Sequence, residues 1–471
     1  MEQTQEYVKE YIADLVAKAK KAQKEFEAKR TNQHDVDEVV RAIGKICYDN
    51  AKALALEAVE ETGMGNIEGK IGKTRQVALR QWDYLKGRPS VGVIDDFSEP
   101  GVKIVAKPAG VVGAVMPSTN PVATVICNAM CALKSRNAII IAPHPSGAKS
   151  SNATVDLMRQ ALEAVGAPAD LVQGIREPSL AMTTELLHQA DLNVATGGPG
   201  MVKSVYSAGK PAYGVGQGNC QAIVDVDYPD FALVAKTAVA NRSFDLGIPC
   251  TGEQNLLVPA AREQEMLDAL RAEGAFIIED EETIDRIRKL VFPTDSINRA
   301  VVGKEPHLLG QMLGVDIPET ARVITFKLKG CGMDDVLCKE ILCPMLRYTT
   351  YEGDYKEAVR IAVANLEREG AGHSSSIWSK HPDHIEYAAN LIPVGRFHVE
   401  QPTIGANNGA APSATIGCGT WGGTASSSNI QYYHFMNVTR VTTQLPVPNV
   451  SVEADWDDWS MRTEWGSRVY Y

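Results

Sequence analysis

One cysteine of this chain has a setting in which a thiol could do chemistry. In "SFDLGIPCTGEQNLLV" (residues 243–258), Cys250 follows a Gly-Ile-Pro bend and precedes the polar run Thr251-Gly252-Glu253-Gln254, ahead of an apolar, strand-like stretch. A core cysteine prefers apolar neighbours, whereas a thiol at an exposed bend can serve as a nucleophile. The window alone fits an ordinary loop cysteine equally well. Nine cysteines occur, at 47, 127, 131, 220, 250, 331, 338, 343 and 418. Neither Cys127/Cys131 nor Cys338/Cys343 has paired metal-binding spacing, and no histidine follows at ligand spacing, so no metal site is expected. Free thiols in a reducing cytoplasm are the reading this usage supports.

Two further stretches have the character of anion-binding loops. "ATGGPGMV" (195–202) follows a strand-like run and opens a helix-like one, so its glycines let backbone N–H groups approach an anion at a helix N-terminus. A plain strand-to-helix turn is the alternative. No strand is followed by GxGxxG; "GVGQGN" (214–219) matches loosely and leads into strand-like "CQAIVDV", which argues against the usual dinucleotide loop. After "NAIIIAPHP" no acidic residue appears until Asp156. A carboxylate there would hold a ribose 2′-hydroxyl and repel a 2′-phosphate. The loop instead offers His144, Ser146 and Lys149, which leaves room for NADP, used at least comparably to NAD.

These residues need elements to position them. A chain of 471 residues is long enough for two or three domains, and 44% apolar with 22% charged residues is an ordinary globular mixture. The formal net charge of -11 argues against a nucleic-acid partner held through phosphates. No apolar run reaches membrane-spanning length, and the N-terminus reads as a charged amphipathic helix and not as a secretory signal. Apolar positions at three- and four-residue spacing predict helices over the first 90 residues. From "GVKIVAKPAGVVGAVMP" (101–117) onward, buried strands alternate with amphipathic helices, which predicts an α/β fold with parallel, doubly wound sheets. A cofactor-binding domain with N-terminal helices is expected over 1–230 and a catalytic domain carrying Cys250 over 231–424. Residues 425–471 read as a strand and tail for oligomerisation, pointing to a homodimer or homotetramer.

The motifs together resemble the aldehyde dehydrogenase superfamily, in its CoA-acylating branch. The resemblance covers roughly residues 5–450. It rests, in order, on "MPSTNP" (116–121), "APHP" (142–145), "ATGGPGMV", "GVGQGN", "FDLGIPCTGEQ", "KEILCPML" (339–346), "GAGHSSSIW" (370–378) and "GCGTWGG" (417–423). It implies two doubly wound domains, a nicotinamide cofactor (NADP or NAD), coenzyme A as co-substrate and Cys250 as the nucleophile that forms a thioester. Asn120 matches the oxyanion position, although an Asn followed by Pro121 also suits a helix N-cap. Glu340 matches the carboxylate that holds the nicotinamide ribose, and His373 the histidine that this branch keeps for the incoming thiol. The cofactor contacts implied are Ser118, Thr119, Pro143, His144, Pro145, Lys149, Thr196, Gly197, Gly198, Gly216, Glu340 and Pro344.

Hydrolytic members carry a glutamate to activate water against the thioester; the matching stretch here has no carboxylate from Tyr213 to Gln221. An acylating enzyme is therefore expected over a hydrolytic one, an acyl-phosphate reductase or a non-catalytic scaffold. For the aldehyde, Arg242, Arg347 and Arg396 are candidates to grip a carboxylate or sulfonate, with donors such as Thr415 nearby. A small anionic aldehyde is expected, sulfoacetaldehyde or succinate semialdehyde, with acetaldehyde or propionaldehyde as the uncharged alternative.

Overall fold

The computed structural model of the chain describes residues 4–96, 101–404 and 410–444. The tail expected to follow the last strand therefore lies mostly outside the described residues. The predicted helical start is present as α1 (Gln5–Lys29), α2 (Gln33–Asp49), α3 (Ala51–Thr62) and α4 (Ile67–Leu85). Side-chain caps fix three of their starts. Thr4, Asn32 and Asn66 accept the backbone N–H of Tyr7, Asp35 and Gly69 at 3.3, 3.0 and 2.7 Å. The spacing of Val8, Ile12, Val16, Ala19 and Phe26 puts one face of α1 into the core.

Next come β1 (Gly92–Asp96), β2 (Val102–Pro108), β3 (Val111–Val115), α5 (Ala123–Lys134), β4 (Ala138–Ala142), α6 (Ala148–Ala164) and β5 (Val172–Gly174). The run continues with α7 (Leu180–Gln189), β6 (Leu192–Thr196), α8 (Pro199–Ser207) and β7 (Ala212–Val215). Strands β5-β4-β3-β6-β7 form a five-stranded sheet, parallel throughout. Its β3 and β4 are buried along their whole length, the near-continuous apolar pattern of a sheet covered on both faces. Every residue of α5 is buried as well. That helix is clamped between sheet and N-terminal helices, so the loop before it, which carries Asn120, has a rigid base.

The second unit comprises β8 (Cys220–Val224), α9 (Phe231–Ser243), β9 (Glu253–Pro259), α10 (Glu263–Ala272), β10 (Ala275–Ile278), α11 (Glu281–Val291) and α12 (Pro306–Leu313). It is completed by β11 (Val323–Lys327), β12 (Met345–Tyr351), α13 (Tyr355–Arg368), β13 (Gly372–Trp378), α14 (Pro382–Leu391) and β14 (Val394–Val399). Its parallel sheet has the order β10-β11-β12-β9-β8-β13-β14. Strand β8 belongs to this second sheet, so the change of sheet falls between residues 215 and 220, ahead of the boundary expected at 230. Finally β15 (Met436–Thr442) returns to pair antiparallel with β2, from Met436 opposite Pro108 to Thr442 opposite Val102. It forms the edge of the three-stranded sheet β1-β2-β15.

Candidate active site

The loop that presents Cys250 is bent against its own backbone preference. After α9 the chain makes a single turn in which Asp245 (φ 45, ψ 40) and Leu246 (φ 54, ψ 40) are left-handed, followed by Gly247 at φ 72. Left-handed geometry costs roughly 1–2 kcal/mol for each residue with a Cβ. Buried polar contacts hold it. Asp245 accepts the Asn66 N–H at 3.1 Å, Lys70 Nζ at 3.5 Å and Lys73 Nζ. Gly247 has no alternative residue: a Cβ there would lie 2.4 Å from the Cys343 carbonyl. A Cβ on Gly218 would lie 2.1 Å from the Cys250 carbonyl oxygen, so "GVGQGN" provides close backbone approach to the Cys250 loop.

Cys250 opens onto a cavity of about 630 Å³, walled by α4 (Lys73, Arg80, Tyr84), the start of α5 (Asn120, Ala123, Thr124) and residues from 374 to 429. Cys250 and Cys331 are partly exposed; the other seven cysteines are buried. Desolvation at the cavity floor, followed by the Glu340 and Cys418 charges, pushes the Cys250 thiol up to about 12. The free site thus stores a protonated thiol. Glu340 itself is pushed up to about 8, first by burial and then by the neighbouring Glu369 carboxylate, while it accepts the Gly218 N–H at 3.0 Å.

Asn120 lines the same cavity. Its side chain is not the N-cap of α5: that position is Val122, which has no side-chain cap. The Asn120 Oδ1 instead accepts from Lys73 Nζ at 2.5 Å, and Nδ2 makes one long contact, 3.4 Å to Thr119 Oγ1. Since an ammonium only donates, Oδ1 must face Lys73, and the amide N–H₂ is the end left available. Lys73 on the cavity wall and the buried Asp245 behind it are residues that sequence reasoning missed. Lys70 and Lys73, on successive turns of α4 and far from Cys250 in the chain, carry no recognisable motif.

The arginines selected from the sequence are placed differently from the expectation. Arg242 is fully buried and donates to the carbonyls of Cys343 at 3.0 and 2.7 Å, Gly247 at 2.7 Å and Ile341. Arg347, equally buried, donates to the carbonyls of Gln254 at 3.0 Å, Lys339 at 2.5 Å and Leu337, and to Gln254 Oε1 at 2.7 Å. Both are struts tying the Cys250 loop and the Glu340 segment to the sheet, and neither lines the cavity. Arg396 does line it, yet its guanidinium donates to the Gly372, His373, Gly417 and Ser427 carbonyls at 2.6–3.2 Å. Thr415 stands behind the wall, with its hydroxyl donating to Asn128 Oδ1 at 2.9 Å. His373 is fully buried, off the lining, with no hydrogen-bond partner at either ring nitrogen. Burial, then the Arg396 charge, lowers it to about 3, so it is neutral at physiological pH. The histidine on the cavity wall is His398, lowered to about 4 by the same two causes. A guanidinium in the cavity wall that sequence reasoning passed over is Arg80; among the described residues it has no ion pair or hydrogen bond.

The expected cofactor residues cluster at the carboxyl ends of the first sheet, where an open parallel sheet binds its ligands. Ser118 and Thr119 follow β3, Pro143, His144 and Pro145 follow β4, and Thr196, Gly197 and Gly198 follow β6. No side chain caps α8, and a Cβ on Gly198 or Gly200 would meet nothing within 4 Å. The start of α8 is open to an anion such as a pyrophosphate, so the residues fit a dinucleotide. Gly216 approaches Cys418, and Pro344 packs against Gly247. Lys149 is exposed at the start of α6. The backbone N–H groups of Lys149 and Ser150 donate to the Glu61 carboxylate at 2.8 and 2.9 Å. Glu61 is thus a cap for α6, contributed from α3, that the sequence did not reveal.

A strained loop carrying a thiol, an amide lining the same cavity and a dinucleotide-type sheet edge fit an oxidoreductase of the α/β class. The aldehyde dehydrogenase family matches residues 1–279, and the chain belongs to that family. Several similar proteins in that family are named as acylating or acetylating enzymes. The chain is 44% identical to succinate-semialdehyde dehydrogenase (acetylating) of Clostridium kluyveri over 434 residues, covering 91% of this chain and 95% of that protein. The structure of an acetylating aldehyde dehydrogenase from Geobacillus thermoglucosidasius superposes with a TM-score of 0.91 at 33% identity, covering 95% and 99% of the two chains. A propionaldehyde dehydrogenase of Rhodopseudomonas palustris, solved with bound CoA and an acylated cysteine, superposes at 0.82 with 26% identity, covering 92% and 97%.

Proposed function

We propose that this protein oxidises a short anionic aldehyde, succinate semialdehyde fitting best, to its acyl-CoA with NAD(P)+ and CoA. Cys250 Sγ attacks the carbonyl carbon, and Asn120 Nδ2 with the Cys250 backbone N–H donates to the developing oxyanion. Each such donor is typically worth about 3 kcal/mol. Glu340, Thr196 and the α8 N-terminus would hold the nicotinamide cofactor, which when bound would accept the hydride from the Cys250 hemithioacetal carbon, so that the thioester acyl-Cys250 remains. CoA thiolate then attacks acyl-Cys250, and Cys250 leaves as thiolate.

The observation that carries the acylating reading is a missing base. Among the described lining residues the one carboxylate is Asp83, on the outer turn of α4 and bonded to Lys86. Glu253, three residues past the nucleophile, is buried and accepts from Asn241 Nδ2 at 2.8 Å and the Thr403 N–H at 3.2 Å. No free carboxylate beyond Asp83 is left among the described lining residues to activate water against the thioester, the role a glutamate fills in hydrolytic enzymes.

Arg80 supports the anionic substrate. It lies seven residues beyond Lys73, roughly 10 Å along α4, and helical side chains lean back toward the N-terminus. A guanidinium on the same cavity wall suits a substrate with a carboxylate three bonds from its carbonyl. The loop after β4 supports a reading of dual cofactor use, since no carboxylate stands free there. Both Glu61 oxygens are engaged by α6, through the two N–H groups and Ser150 Oγ at 2.7 Å. The exposed β15 edge, with Val438 and Val441 outward, supports assembly through this strand into a dimer or tetramer.

The test is an aldehyde panel with and without CoA, for the parent and Arg80→Leu. Loss of a charge-assisted hydrogen bond should raise KM for succinate semialdehyde about 10- to 100-fold and leave butanal unchanged. Equal effects on both aldehydes would favour an uncharged substrate.

A further inference from the structure

At the end of the second sheet opposite Cys250, β8 and β13 finish side by side, pinned by the Asp225 N–H donating to the Trp378 carbonyl at 2.9 Å. The five residues of β8 separate this end from the nucleophile loop by roughly 16 Å. The segments that follow carry Asp225 and Asp227 from one strand and His381 and His384 from the other. Donor atoms of Asp225, His381 and His384 lie within 4.8 Å of one another. His384 Nδ1 is 2.7 Å from Asp225 Oδ2, and His381 Nε2 is 2.7 Å from Asp227 Oδ2. We propose that this cluster is a binding site for one zinc-like divalent cation.

Its chemistry suits such an ion. Two imidazoles and a carboxylate are the donor set of open, partly protein-ligated transition-metal sites. Asp227 on the second nitrogen of His381 is the outer carboxylate that orients a ligand histidine. The rings are held in place: Tyr355 stacks on His384 with centroids 3.7 Å apart, and Ser379 Oγ donates to Asp225 Oδ2 at 2.5 Å. Asp383 adds a third carboxylate, 3.9 Å from His384 Nε2, while the neighbouring Lys380 is bonded to Glu400. The local charge therefore favours a cation. Asp225 is buried and His384 and His381 are progressively more exposed, which leaves one side open for entry and for water ligands.

Chelator-treated, full-length enzyme titrated with Co²⁺ and then Zn²⁺ tests the site. One cobalt per chain should bind with weak visible d–d bands and without the intense near-ultraviolet band of thiolate ligation, and zinc should displace it. Asp227→Ala should weaken binding about 10- to 100-fold. The double variant His381→Ala/His384→Ala should lose saturable binding while keeping metal-free dehydrogenase activity, which shows that it is folded. A thiolate band, undiminished binding in the double variant, or no saturable binding by the parent would each overturn the proposal.

Discussion

Lys73 Nζ lies 2.5 Å from Asn120 Oδ1 and donates to Asp245 from the same ammonium. One cation therefore links the strained turn before Cys250 to the amide beside it, and fixes which end of that amide faces the cavity. Lys73 is a positioning residue by this geometry. Lys73→Met should lower kcat about 10- to 100-fold, less than the loss from removing an oxyanion donor outright, with KM for CoA little changed. In an Asn120→Ala background the same substitution should cost little more, because the group it orients is gone. Fully additive losses would show that Lys73 acts only on the turn.

The thiol makes a prediction about pH. Burial and the Glu340 charge hold Cys250 up to about 12, so the free enzyme has little thiolate at neutrality. Alkylation of Cys250 by iodoacetamide, followed on its peptide by mass spectrometry, should keep rising with pH beyond the ordinary thiol value of 9.0. A plateau near pH 7 would mean that the site activates its nucleophile before any ligand binds.

His373 and His398 predict a loss of stability in acid. Their folded-state values, about 3 and about 4, lie below the ordinary 6.5, so between pH 6.5 and 4 the unfolded chain holds more protons than the native one. Stability therefore falls as pH drops through that window, by up to about 1.4 kcal/mol per pH unit for each histidine. The thermal midpoint of His398→Gln should fall less steeply than the parent's between those limits. Parallel curves would show that His398 keeps its proton affinity on folding.

What the sequence made legible follows from how local each signal is. The parallel sheets, the helical first 90 residues and a strand near the C-terminal end were readable because apolar periodicity is a local property. The glycines of "GVGQGN" and the bend before Cys250 were visible as motifs. Which sheet takes β8 was not legible, because its apolar run suits either one; long-range pairing with β9 and β13 decides it. Arginines near the motifs drew attention for their charge, yet Arg242 and Arg347 serve backbone carbonyls, and nothing local marks that use. Arg80 and Lys73 were missed for the converse reason. They sit on an ordinary amphipathic helix whose polar face becomes a cavity wall only after packing. The pairs Asp225/Asp227 and His381/His384 lie some 150 residues apart, and their meeting depends on two strands ending together.

The most direct measurement is a single-turnover experiment with succinate semialdehyde and NAD(P)+ but no CoA. Acyl-Cys250 lacks the positioned carboxylate that activates water, a group typically worth about 10² to 10⁴ in rate, so it should accumulate. The parent enzyme should release about one equivalent of reduced cofactor per active site, nearly stop, and resume turnover when CoA is added. Cys250→Ala should give no burst. Steady turnover to the free acid without CoA, at a rate close to the CoA-supported one, would contradict the acylating account.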